Sequence, residues 1–169
     1  NTVGNLDKAT FWFESYLQNA IKRADLHPEN SSYKSSICVA YSRLGNVYSS
    51  YGDLEKTLDY YEKDLALTEE LYTSSPQNVS FKNGLAISYQ NLGNTYNSLG
   101  NLEKALEYYE KYNLFEKELH SSYPQNVEFK NLLAISYSKL GTTHRSLGNL
   151  EKALSYFEGQ TVLFEELHS

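Results

Sequence analysis

Apolar residues recur along the chain with a helical period rather than strict alternation. Tyr89, Leu92 and Tyr96 fall at i, i+3 and i+7, with Ala86 and Gly93 on the same side. Beyond Gly100 a second stripe runs through Leu102, Leu106, Tyr109 and Phe115. The Ser-Leu-Gly-Asn break between them suits a tight turn with glycine as a left-handed C-cap. Ser-Ser-Pro-Gln-Asn ends one helix and begins the next, because proline suits a first helical turn and not an interior. The pattern predicts helical hairpins. First helices are expected at 30–50, 78–98 and 126–146, and second helices at 5–25, 53–73, 101–121 and 149–168. Each would be roughly 30 Å long.

The unit repeats. Pro28, Pro76 and Pro124 are 48 residues apart, and so are Gly4, Gly52, Gly100 and Gly148, then Gly45, Gly93 and Gly141. The run G-[ND]-L-[DE]-K-[AT] recurs four times. Residues 78–121 and 126–169 share 28 of 44 positions, which makes the chain an internal repeat of recent duplication. A single array over 1–169 is expected: the second helix of a partial repeat, then repeats at 30–73, 78–121 and 126–169. Position 1 is not methionine and the first motif stands at Gly4, so a piece of a longer protein is expected.

In register with this period stands the pattern Y-x-x-L-G-x-x-Y-x-x-x-G-x-x-x-x-A-x-x-x-[YF]. It reads Tyr89, Leu92, Gly93, Tyr96, Gly100, Ala105 and Tyr109, then Tyr137, Leu140, Gly141, His144, Gly148, Ala153 and Phe157. An earlier copy has Tyr41, Leu44, Gly45, Tyr48, Gly52, Thr57 and Tyr61. The pattern resembles the tetratricopeptide repeat, and the resemblance covers the whole chain. It implies an all-α, right-handed superhelical α-solenoid in which small residues let paired helices touch. The usual unit is about 34 residues. A 48-residue period and the lack of proline at Glu69 and Lys117 imply about two further turns per helix. In that respect the chain resembles the long-helix arrays of bacterial multidomain signalling proteins.

Composition narrows the function classes. Hydrophobic residues make up 40% and aromatics 14%, enough for a buried core. A net charge of −6 argues against nucleic acid as a partner. No apolar run reaches the ~20 residues that span a bilayer, so no membrane is expected. The one cysteine, Cys38, can form no internal disulfide, which fits a reducing compartment and a cytoplasmic location. Charge is also divided by helix. The three first helices hold Lys34, Arg43, Lys82, Lys130, Lys139 and Arg145 against Glu128, a sum of +5.

The family resemblance implies that first helices line a concave groove, here a basic strip suited to an acidic segment or a free carboxylate. Carried over by position, Asn46, Asn91 and Lys139 match family residues that grip a terminal carboxylate. Ser42 and Ile135 stand where two lysines would, so that clamp is incomplete. Arg43, Asn94, Asn97 and Arg145 would also face the groove. The tyrosines at 41, 89, 137, 60, 108 and 156 are expected in the core, and Tyr51, Tyr72, Tyr112 and Tyr123, off the pattern, as surface contacts. His27, His120, His144 and His168 have no second ligand three or four residues on, so no metal or cofactor is expected. Cys38 reads as a buried structural thiol, and no nucleotide loop or catalytic set occurs, so no enzyme is expected. The expected function is a scaffold holding an extended or helical partner segment. The alternative is a spacer or sensor module docking on neighbouring domains of a larger signalling protein, with self-association through its ends.

Overall fold

Asparagine and aspartate side chains start helices of this chain, and glycines close the turn after the first helix of each hairpin. In a computed structural model, residues 2–168 are described, with side-chain surroundings for 4–167. Seven helices follow in order: α1 Thr2–Leu26, α2 Ser31–Tyr51, α3 Leu54–Ser74, α4 Val79–Ser98, α5 Leu102–Ser122, α6 Val127–Ser146 and α7 Leu150–His168. The described residues contain no strand. Asn30, Asp53, Asn101 and Asn126 are N-caps whose side chains accept from backbone N–H groups of the first turn. Gly52, Gly100 and Gly148 lie at φ 77°, 74° and 80°, closing the turns inside the hairpins.

Two expectations about boundaries change. The prolines do not enter a first helical turn: Pro76 and Pro124 lie in the connecting turns, and the asparagines two residues on start α4 and α6. Nor does α1 start after Gly4. The helix runs through it from Thr2. Gly52 is held left-handed where α2 supplies carbonyls to the N–H groups of Gly52 and Asp53; without such a turn glycine accepts the helical conformation equally.

The chain forms two compact units, 1–81 and 82–169. In unit 1, Leu17 and Ala20 of α1 pack on Ile37, Ala40 and Leu44 of α2, with Tyr41, Tyr48, Tyr60 and Leu67 around them. In unit 2, Leu133 and Ala134 of α6 pack on Leu163 of α7, flanked by Tyr137. Within each hairpin an aromatic ring lies on a glycine: Tyr61 on Gly45, Tyr109 on Gly93, Phe157 on Gly141. A Cβ at any of the three glycines would come within 2.7 Å of the ring. Those rings fix how closely the paired helices approach.

Candidate partner-binding face

The residues expected on an open face fall on three positions of the 48-residue unit. Arg43, Asn91 and Lys139 share one, Asn46, Asn94 and Thr142 the next, and Ser49, Asn97 and Arg145 the third. Successive positions are three residues apart, so on each first helix they form one stripe. Val39 and Ile87 extend it by a turn with exposed apolar side chains. Unit 1 carries the stripe on α2, and unit 2 carries it on α4 and α6.

Tyrosines of the second helices orient the middle position. The Tyr109 hydroxyl donates to Asn94 Oδ1 at 2.9 Å, and Tyr61 to Asn46 Oδ1 at 2.7 Å. Burial pushes both hydroxyls up to about 12, so each remains a proton donor at neutral pH. The third hairpin has Thr142 and Phe157 in place of this pair, losing both members together. With its oxygen engaged, each asparagine amide keeps two N–H donors. In unit 2 the Lys139 ammonium stands 5.9 Å over the same Tyr109 ring, which brings Asn94 and Lys139 around one aromatic. Arg145 is exposed and lies 5.8 Å over Phe157. The side chains of Arg43, Asn91 and Asn97 make no hydrogen bond or ion pair among the described residues. The face in unit 2 therefore offers donors and positive charge.

The basic strip is narrower than the charge count suggests. Lys34, Lys82 and Lys130 reach across their own hairpins to Glu70, Glu118 and Glu166. The cause is the repeat itself, which puts lysine and glutamate at facing positions 36 residues apart in each unit. Arg43, Lys139 and Arg145 make no such ion pair among the described residues.

The tyrosine expectations divide. Tyr61, Tyr89, Tyr96 and Tyr109 are buried and the other patterned rings half-buried. Tyr112, expected as a surface contact, is instead fully buried, its hydroxyl donating to the Leu132 carbonyl at 3.2 Å. It fills the joint between α5 and α6, where the apolar stripe of a single helix gives no hint of it. Tyr51 and Tyr123 are exposed, as expected. His144 stacks on Tyr156 at 5.6 Å, occupying the place that Tyr48 and Tyr96 take in the other hairpins. The His168 side chain lies outside the described residues. Cys38 is buried, and burial, then Asp64, pushes its thiol up to about 12, leaving it protonated and unreactive. Among the described residues no group of three or more His, Cys, Asp or Glu could hold a metal, and no helix is long and apolar enough to cross a membrane.

Known proteins share this architecture. Two tetratricopeptide repeat family models match, one over residues 36–112 and one over 133–159, together more than half of the chain. No curated protein matches the chain by sequence. Among solved structures, BtubC (BKLC) from P. vanneervenii is similar at a TM-score of 0.69 and 19% identity over 96% of this chain. The match spans 58% of BtubC. The N-terminal domain of stress-induced protein-1 (STI-1) from C. elegans gives 0.56 at 20% identity, covering 80% of this chain and 98% of that domain. MamA gives 0.54 at 20% identity, covering 98% of this chain and 92% of its own. At these identities the likeness is one of fold. With the matched repeats, the hairpins and the glycine seams in agreement, the chain belongs to the tetratricopeptide repeat family.

Proposed function

We propose that the face carried by α4 and α6 in unit 2 holds an extended segment of a partner protein that is acidic or ends in a free carboxylate. Family membership supports a protein-interaction scaffold. The chemistry of the ligand rests on one observation: Tyr109 engages the oxygen of Asn94 and lies beneath Lys139. Such a face presents amide N–H groups and cations, and it complements carbonyls and carboxylates through charge-assisted hydrogen bonds. Ile87, exposed beside the stripe on α4, suits an apolar side chain of the same segment.

Panning a random peptide display library against the chain tests this. Peptides rich in Asp and Glu should be enriched, and the double variant Lys139→Glu, Arg145→Glu should shift the preference toward basic peptides. An unchanged preference in the variant would overturn the assignment, provided its helicity by circular dichroism equals that of the parent.

The α7 helix favours a second reading. Leu150, Leu154 and Val162 are more than half exposed, and Phe164 is also open. Such apolar surface suits a neighbouring domain of a larger signalling protein, or another copy of the chain. Light scattering distinguishes them: mass rising with concentration, and abolished by Val162→Glu, indicates copies.

A further inference from the structure

The joint between α5 and α6 is a ladder of side-chain contacts set along one stripe of α5. Tyr109, Asn113 and Glu116 stand at i, i+4 and i+7, with Tyr112 beside Asn113. On the first rung the Tyr109 ring carries the Lys139 ammonium of α6 at 5.9 Å, while its hydroxyl donates to Asn94 of α4. One turn on, Asn113 donates to Ser136 Oγ at 2.8 Å, and the Tyr112 hydroxyl donates to the Leu132 carbonyl at 3.2 Å. Glu116 is the next rung, and it differs from the others. It is fully buried, and neither carboxylate oxygen has a hydrogen-bond partner.

Among the described residues, nothing on the helices packed against Glu116 balances its charge. The charge it feels from α6 is that of Glu128, of the same sign. The remaining titratable groups of α6 are engaged elsewhere: Lys130 pairs with Glu166, Lys139 lies over Tyr109, and His144 and Arg145 lie over rings of α7. The one charged residue of α4, Lys82, pairs with Glu118. On α5 itself His120 stands one turn further on, its Nδ1 buried and unpartnered, and the Tyr112 hydroxyl is given to α6. A buried carboxyl with neither donor nor cation is tolerated only while it keeps its proton. Burial, then Glu128, accordingly pushes it up to about 7. Once ionised it demands water, and water reaches it where α5 and α6 part.

We infer that loss of the Glu116 proton loosens the α5–α6 joint and unseats Lys139 from Tyr109, so that the face of unit 2 holds its acidic segment less tightly. The inference rests on the acidic-segment reading given above. Opening at Glu116 lies one turn from the Asn113–Ser136 bond and two turns from Tyr109, a contiguous path to the face. The added negative charge acts in the same direction, because it repels the segment that Lys139 attracts. Linkage requires the reverse effect as well: a bound acidic segment makes Glu116 hold its proton more tightly.

Calorimetric titration with hexa-aspartate, its terminal carboxylate free, at pH about 6 and about 8 tests the consequence for the face. The chain should bind this peptide roughly tenfold more tightly at the lower pH. In Glu116→Gln, which keeps a neutral group of the same shape, most of that ratio should disappear, and what stays belongs to the histidines. Glu116→Ala, which copies Ala20 of unit 1, should behave alike and serves if the glutamine variant does not fold. Amide hydrogen exchange of the free chain reads the joint without peptide. Residues 127–139 should exchange faster at the higher pH than the chemical rate explains, and Glu116→Gln should abolish the excess. Equal affinity ratios in the parent and both variants, or no excess exchange in α6, would overturn the inference. Binding at neither pH would overturn it through the acidic-segment reading beneath it, an outcome told apart by the absence of any heat.

Discussion

Two joints between a second helix and the next first helix can be compared position by position, one in each unit. In unit 1, α1 presents Leu17 and Ala20, and α2 answers with Ile37, Ala40 and Leu44. In unit 2 the same positions of α5 are Asn113 and Glu116, and those of α6 are Leu133, Ser136 and Leu140. Asn113 donates to Ser136 Oγ at 2.8 Å, so that pair is satisfied. Glu116 is not. It is fully buried, neither carboxylate oxygen has a hydrogen-bond partner, and burial, then Glu128, pushes it up to about 7. One joint therefore buries an apolar pair where the other buries a carboxyl. Joints tolerate a change from apolar to polar, whereas the glycine–ring seams recur in all three hairpins.

The largest expected effect probes the seams, which should answer alike in both units. Tyr61→Ala and Tyr109→Ala should each destabilise by about 3–5 kcal/mol, because each removes a buried ring and leaves its asparagine without a partner. Urea unfolding followed by circular dichroism measures this, and a large inequality would break the equivalence of the hairpins.

The joints should answer differently. Glu116 binds its proton more tightly folded than unfolded, so its stabilising effect is complete below its ordinary value of 4.5. It is lost as pH rises to about 7, by about 3 kcal/mol in all. Glu116→Ala, which copies Ala20, should flatten the melting temperature across this range. Ala20→Glu should transfer the slope to unit 1. His144 works with the opposite sign. Burial, then Lys152, holds its pKa below the ordinary 6.5, so stability is present above that value and falls as pH drops through it. His144→Tyr, which restores the residue of the other hairpins, should remove the acid-side loss in the same melting series.

The smallest effect belongs to the lysine–glutamate pairs. Lys34→Ala and Lys130→Ala should each change stability by less than about 1 kcal/mol, equally in the two units and less at high salt. A larger loss for one would show that its pair is more than surface charge.

The hairpins were legible because their signals are local. Glycine at 52, 100 and 148 needs only its own φ, and Asn30 or Asp53 needs only the N–H groups of the next turn. The helices accordingly begin within a residue or so of the expected positions, α1 excepted. Pairings across 15 to 36 residues were harder to see. Tyr112 looked superficial on its own helix because the surface that covers it belongs to α6, and Lys34, Lys82 and Lys130 looked available because their glutamates sit on other helices. The residues proposed for the face are legible as positions of the repeat, but the tyrosine that orients Asn94 is not. A signal did exist: Asn and Tyr at 46 and 61, and at 94 and 109, give way together to Thr142 and Phe157.

The rings seated on Gly45, Gly93 and Gly141 have a mechanical meaning. A ring pressed on bare backbone acts as a pin: sliding one helix along its partner by a turn would drive a neighbouring side chain into it. Each hairpin should therefore respond to a pulling force as a stiff lever. Within unit 2, compliance would then concentrate at the α5–α6 joint.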